Sequence, residues 1–188
     1  MSIRVFYGLL GALVLGALAL RLHQIDAMLL WHDEAVNGTL TRGILEHFHY
    51  RYHYRMFHGP SLFYLDAIAV ALLGHSHIAL RIVSVLSGTA LVAAVGLLRE
   101  PLGRVGALFA ALGLALAPVE LYYSRVGIHE MLFVALSLGL VGCVGRWLLL
   151  RERSGVHRTT AMRWGRGALV CLGAVSYTHL RAHETKAN

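Results

Sequence analysis

Long apolar blocks restrict this chain more than any other feature of its sequence. Four of them, at residues 5–20, 78–98, 105–123 and 131–150, approach the length of about 20 residues that an α-helix needs to span a bilayer. A fifth begins near residue 167. Hydrophobic residues make up 57% of the 188 and charged residues 14%, whereas soluble domains carry about a quarter charged residues. The pattern predicts an all-α, polytopic transmembrane protein.

The first block has a second interpretation as a cleaved signal peptide. Ala17 and Ala19 resemble the small residues that flank a cleavage site. Arg21 follows them closely, and the apolar stretch is long for a signal peptide, so a retained span is favoured.

The arginines between the blocks predict the topology. The formal net charge is +7, but the basic residues gather between apolar blocks, as in cytoplasmic loops, which argues against nucleic-acid binding. If the N-terminus is cytoplasmic, the four spans place the arginine-rich loops in the cytoplasm only when the short apolar stretch 61–73 does not cross the membrane. This stretch is interrupted by Asp66, and we predict that it lies in the membrane interface. We therefore predict a multi-pass protein of the cell (inner) membrane, with residues 23–77 and 124–130 on the extracytoplasmic side.

The last residues break this pattern. Residues 175–185 read VSYTHLRAHET, which resembles a common sequencing adapter translated in one frame. We expect residues 175–188 to be non-native, residues 1–174 to be the N-terminal part of a membrane domain, and the natural protein to continue beyond them. A genuine polar tail is the alternative. On the first interpretation, His179, His183 and Glu184 are not metal ligands.

A polar group after the first span carries the strongest chemical signal. Trp31-His32-Asp33-Glu34 precedes a predicted interfacial helix at residues 33–48, so Asp33 and Glu34 fall in its first turn, where the helix dipole favours ionised carboxylates. Such a carboxylate can serve as a general base or a metal ligand. Simple helix capping is the competing interpretation. The apolar face of this helix is predicted from a four-residue spacing of Val36, Leu40, Ile44 and Phe48.

Other polar residues of the predicted outer side complete a candidate site. Arg125 can neutralise a phosphate, as can Arg81 at the outer start of its span, and His58 can contact a phosphate or a metal. Asp33, Glu130 and His58 together could hold a divalent ion. The alternatives are an Arg125–Glu130 ion pair and a solvated loop histidine at residue 58.

In their order and spacing, these residues resemble the C-type membrane glycosyltransferases. The similarity is to the protein mannosyltransferase and lipid A aminoarabinose transferase group (family 39), and most of all to its prokaryotic membrane-bound mannosyltransferase-like branch. It covers about residues 4–150. The matching pieces are Asp33-Glu34-Ala35, Phe57-His58-Gly59-Pro60, Ala79-Leu80-Arg81, and Tyr122-Tyr123-Ser124-Arg125 with Glu130.

The resemblance implies a hexosyltransferase that moves a sugar from a polyprenyl phosphate to a glycan, lipid or protein acceptor on the outer face. It implies that Asp33 is the base and that Glu34 positions the acceptor or supports Asp33. Glu130 stands where the family has its second acidic residue, often Asp. Some relatives have Lys at the position of Gly59, so His58 or Arg125 would contact the phosphate here. The fragment alone is expected to be inactive.

Two other functions are compatible with the sequence. One is a non-catalytic transporter or flippase-associated protein that binds polyprenyl phosphate, and the other is a structural membrane subunit. A divalent metal ion is the only cofactor expected, and membrane lipids are expected partners. Asp66 and Glu120 are costly in apolar segments, and the sequence assigns neither a role.

Overall fold

The computed structural model describes residues 1–50, 59–152 and 158–179, and these ranges contain helices and no strand. The all-α prediction is confirmed. The helices are α1 (Ile3–Leu22), α2 (His32–His47), α3 (Ser61–Leu73), α4 (His77–Ala94), α5 (Gly103–Leu116), α6 (Pro118–Tyr123), α7 (His129–Glu152) and α8 (Arg158–His179). After α4, the chain continues through a 3-10 turn, Val95–Leu98.

Three helical segments within the described ranges are long and apolar enough to cross a membrane, which indicates a membrane protein. They are Ile3–Leu22, His77–Leu98 and His129–Arg151, and each corresponds to a predicted span. The fourth predicted span, at residues 105–123, is divided into two helices. Ala117 has a ψ of 123°, and Pro118 begins α6. Proline lacks an N–H and its ring clashes with the preceding turn, so α5 ends at Leu116.

The last helix begins well before the predicted start near residue 167. Arginines at residues 158, 163 and 166 lower the local hydropathy, which is why an apolar window misses this part of α8. Packing against α7 supports it, since Trp147 lies 3.4 Å from the position that a Cβ atom on Gly165 would take. The helix continues through His179, past the predicted boundary at residue 174.

Helices α2 and α3 form close to the bounds predicted for the two interfacial helices, and their place in the membrane interface stays a prediction. The buried face of α2 differs from the prediction. Of the expected apolar stripe only Ile44 is buried, while Phe48 caps the helix and is 89% exposed. The buried side chains are mostly polar: Glu34, Asn37 and Thr41. The apolar spacing predicted the wrong buried face because long-range hydrogen bonds decide which side of α2 faces the other helices. Glu34 accepts such a bond from Arg81, and Asn37 donates one to the Gly127 carbonyl.

The central helix of the bundle is α4, which contacts α1, α3, α5 and α7. A buried apolar cluster joins α1, the end of α4 and α5, with Phe6, Val92 and Ala111 among its members. Near this cluster, the Cβ position of Gly96 lies 2.7 Å from a methyl carbon of Leu10, so a side chain on Gly96 would require the Leu10 side chain to move.

Long-range contacts group the loops at two ends of the bundle. Residues 23–47 and 122–130 share what we call the α2 end, where the Arg125 guanidinium donates to the His23 carbonyl. The opposite or arginine end is defined by Arg99, Arg104, Arg146 and Arg151, with an ion pair between Arg146 and Glu100. The side of the membrane that each end faces stays a prediction.

Candidate functional site at the α2 end

A buried ion pair organises the α2 end. Glu34 and Arg81 are both 0% exposed, and two parallel hydrogen bonds join them. Arg81 Nε lies 2.7 Å from Glu34 Oε1, and Nη2 lies 2.8 Å from Oε2. This two-point geometry is the strongest form of arginine–carboxylate contact, and it fixes the first turn of α2 against α4.

The remaining donors of Arg81 bind the loop between α1 and α2. Nη1 donates to the carbonyls of Ile25 (2.6 Å) and Met28 (3.1 Å), and Nη2 donates to that of Leu29 (3.1 Å). With the two bonds to Glu34, all five guanidinium N–H groups are used. The predicted phosphate contact of Arg81 therefore does not fit this arrangement, because the side chain is buried and its donors are already engaged.

Two backbone amides complete the coordination of Glu34. The amide of Trp31 donates to Oε2 and that of Gly127 donates to Oε1, both at 2.9 Å. Burial by itself would raise the pKa of Glu34, but the hydrogen bonds from Arg81, Trp31 and Gly127 and the charge of Arg81 hold it below its usual value. Glu34 is thus an ionised structural group. It supports the turn that carries Asp33, whereas contact with an acceptor would require an exposed oxygen.

Gly127 brings the turn between α6 and α7 into the same assembly. A Cβ atom at this position would lie 2.6 Å from the carbonyl oxygen of Leu80, so the close approach requires glycine. Asn37 Nδ2 donates to the Gly127 carbonyl at 2.9 Å. Glu34, Asn37, Arg81 and Gly127 together are called the Glu34 latch below. Asn37 and Gly127 were not among the predicted site residues, and the only signal for them in the sequence was their position beside those residues.

The structure places Asp33 and Glu130 at the same end of the bundle, and both are exposed. Asp33 precedes Glu34 in the first turn of α2, and Glu130 follows Gly127 at the start of α7. Beside them, the rings of Trp31 and Tyr122 are in edge contact with centroids 6.0 Å apart. The latch therefore ties together the two chain segments that carry the exposed carboxylates.

Arg125, predicted to contact a phosphate or alternatively to pair with Glu130, binds backbone carbonyls of the loop after α1. Its Nη2 donates to the carbonyls of His23 (2.7 Å) and Gln24 (3.1 Å). Within the described ranges, Arg125 and Glu130 form no ion pair with each other. The half-buried guanidinium joins the end of α1 to the turn after α6, and a phosphate contact would have to use its other donors.

The predicted metal site is only partly described. His58 lies outside the described residues, and among those described no three His, Cys, Asp or Glu side chains form a group that could hold a metal. Asp33 and Glu130 are oxygen donors of the kind that divalent ions prefer, and both are accessible. Metal binding stays a prediction that rests on these two carboxylates.

A second buried carboxylate lies in α3. Asp66 is completely buried, and neither of its oxygens has a hydrogen-bond partner in the described part of the chain. Burial raises the pKa of Asp66 to about 8. The other unassigned acid, Glu120, lies close enough to interact electrostatically with buried Arg21. Burial thus favours the protonated form of Asp66, whereas Glu120 has a cation nearby.

Comparisons of this chain with family models, curated proteins and solved structures found no match.

Proposed function

We propose that this chain is part of a multi-pass membrane glycosyltransferase that moves a sugar from a polyprenyl phosphate to an acceptor hydroxyl. The observation that carries the proposal is the Glu34 latch, which joins the segments bearing Asp33 and Glu130 while leaving both carboxylates exposed. An arrangement of this kind holds reactive groups on a rigid support. The family resemblance of the same segments assigns Asp33 and Glu130 to the reaction.

Asp33 acts as the general base in this proposal. The acceptor hydroxyl gives its proton to the Asp33 carboxylate, and the hydroxyl oxygen forms a bond to the anomeric carbon of the sugar. The bond from that carbon to the phosphate oxygen breaks, and the polyprenyl phosphate leaves with the electron pair. A divalent ion held by Asp33 and Glu130 would supply positive charge for the leaving phosphate.

The proposed topology follows from the two ends of the bundle. The arginine end faces the cytoplasm, as the positive-inside rule requires, and the α2 end faces the opposite side of the inner membrane. In this orientation, α2 and α3 lie in the outer interface. A lipid-linked donor then presents its phosphate at headgroup depth, next to the exposed carboxylates.

The test is transfer of labelled hexose from a polyprenyl phosphate in membranes that contain the complete gene product. Asp33→Asn should lower the rate by about 10²–10⁴, the usual contribution of a general base. Asp26→Asn is the matched control, since Asp26 is an exposed aspartate of the same end. Equal rates for these two variants would overturn the role of Asp33.

The same variants distinguish an enzyme from a carrier of polyprenyl phosphate. Photo-crosslinking of a lipid-phosphate analogue measures binding without chemistry. In the enzyme, Asp33→Asn loses transfer but retains crosslinking. A protein that shows crosslinking and no transfer, with or without the substitution, would support the non-catalytic alternative instead.

A further inference from the structure

We propose that the arginine end of the α7–α8 hairpin is a binding surface for anionic lipid headgroups. Its ligands are the guanidinium groups of Arg151, Arg163 and Arg166, and the chemistry recognised is a lipid phosphate. The inference does not depend on glycosyl transfer, because the residues involved lie at the opposite end from Asp33.

Packing between α7 and α8 determines which side of α8 is accessible to a lipid. Trp164 lies under the guanidinium of Arg146 on α7, with 5.7 Å from the guanidinium carbon to the ring centroid. Ala168, one turn further along α8, is buried. These residues define the side of α8 that packs on α7, so the opposite side of this helix is turned outwards.

Arginines and apolar residues share that outward side. Arg163 and Arg166 are exposed and three residues apart, which places them on neighbouring positions of one helical face. Leu169 (68% exposed) and Val170 (71% exposed) follow on the same face. The distance along the helix from Arg166 to Val170 is about 6 Å at the usual rise per residue. A surface of this kind puts guanidinium groups at headgroup depth when the apolar residues contact acyl chains.

The charges of these arginines are not neutralised within the described part of the protein. Arg146 is paired with Glu100, so it is not available to a ligand. By contrast, no ion pair among the described residues includes Arg151, Arg163 or Arg166. Arg151 is exposed and lies over the ring of Trp147 at 5.3 Å, a contact that leaves its N–H groups able to donate.

The neighbouring tryptophans favour a lipid over a soluble anion as the partner. Trp147 lies near the end of His129–Arg151, a helical segment long enough to span a membrane, and tryptophan is enriched at the boundary between acyl chains and headgroups. Trp164 lies beside this helix end on α8, under the guanidinium of Arg146. The sequence between residues 146 and 166 contains six arginines and one glutamate. Basic clusters between helix ends at this depth are typical of sites for anionic lipid headgroups.

The experiment measures which lipids surround these tryptophans. The full chain carrying Trp31→Phe, so that Trp147 and Trp164 are its fluorophores, is placed in phosphatidylcholine vesicles. Brominated phosphatidylglycerol or brominated phosphatidylcholine is then added at equal mole fractions, since bromine quenches tryptophan on contact. We expect the brominated anionic lipid to quench with roughly fivefold higher apparent affinity, and the preference to weaken at high salt.

Arg151→Gln/Arg163→Gln/Arg166→Gln should remove the preference, and Arg42→Gln, an exposed arginine at the α2 end, should leave it unchanged. Equal quenching by the two lipids in the parent chain would overturn the proposal, as would a preference that survives the triple substitution. If the triple variant loses its helical circular dichroism, the Arg163→Gln and Arg166→Gln single variants decide. Each must lower the preference for the proposal to stand.

Discussion

The first turn of α2 and the middle of α3 both bury a carboxylate, and they stabilise it in opposite ways. Glu34 accepts hydrogen bonds from Arg81 and from the amides of Trp31 and Gly127. Asp66 is equally buried, but its oxygens have no partner in the described part of the chain. The same removal from water thus gives a pKa below the usual value for Glu34 and of about 8 for Asp66.

The comparison shows that donor supply, rather than burial alone, decides the charge of an acid in this fold. A carboxylate transferred from water loses its hydration and remains ionised only where donors replace it. Glu34 finds such donors on three separate chain segments, so its charge holds those segments together. Asp66 lies on a helix beside buried apolar residues such as Phe63 and Val70. In such surroundings the protonated carboxyl group has a lower free energy than the ionised one.

The largest expected effect comes from removing the cation of the Glu34 latch. Arg81→Met should lower the free energy of unfolding by about 3–5 kcal/mol, because it leaves Glu34 buried and charged without its main partner. Denaturation in mixed detergent micelles measures this. The double variant Glu34→Gln/Arg81→Met should recover part of the lost stability, because it also removes the buried charge. An equal loss of stability in the single and double variants would contradict the claim that Glu34 is ionised and stabilised by Arg81.

The next effect is a pH dependence that belongs to Asp66. Its folded pKa of about 8 lies above the value of about 4 expected in the unfolded chain, so between these pH values the folded state binds more protons. The free energy of unfolding should therefore fall as the pH rises through this window, by up to about 1.4 kcal/mol per pH unit. Unfolding of parent and Asp66→Asn at pH 5 and pH 7 measures the difference. A slope that is the same in both proteins would show that Asp66 does not titrate in this way.

A smaller effect is expected where the latch meets the turn before α7. Gly127→Ala should cost about 1–3 kcal/mol, because the new methyl group would overlap the Leu80 carbonyl and displace an amide that donates to Glu34. Gly43→Ala on α2 is the matched control, as its Cβ position is open, and a helical Gly→Ala change should be neutral or stabilising by up to about 1 kcal/mol. Thermal unfolding measures the stability of both variants. If Gly127→Ala is as stable as Gly43→Ala, the close approach at Gly127 does not require glycine.

The smallest effect should come from an ion pair in water. Arg42 and Glu46 lie one turn apart on α2 with 3.0 Å between Nε and Oε1, and both side chains are exposed. Arg42→Ala should change the free energy of unfolding by less than about 1 kcal/mol, since solvent and salt screen such a pair. A cost close to that of Arg81→Met would show that burial does not increase the contribution of the Glu34–Arg81 pair to stability.

Hydropathy along the chain predicted much of the fold but not its interruptions. The helices of residues 3–22, 77–98 and 129–151 follow from apolar length, which is a local and additive property. Hydropathy does not report the division of the 105–123 block, but Pro118 predicts an interruption of this span, since proline removes a backbone donor inside a helix. The early start of α8 at Arg158 depends on packing with α7, which hydropathy does not report.

The candidate site was predicted in its location more than in its roles. Asp33 and Glu130 were expected at one end of the bundle, and they lie there, exposed. Arg81 was predicted to bind phosphate and is instead enclosed by Glu34 and three carbonyls. Residue type and position along a span show that an arginine is near a site, but they do not show which acceptors its side chain meets.

The sequence by itself determined that this chain forms long apolar helices, where most of them begin, and that Asp33 and Glu34 share a helical first turn. Only the tertiary structure decided that these adjacent acids have opposite environments, one exposed and one buried. The physical reason is the separation of the partners. Glu34 binds groups 47 and 93 residues away along the chain, and no local pattern encodes which of many distant donors will face it.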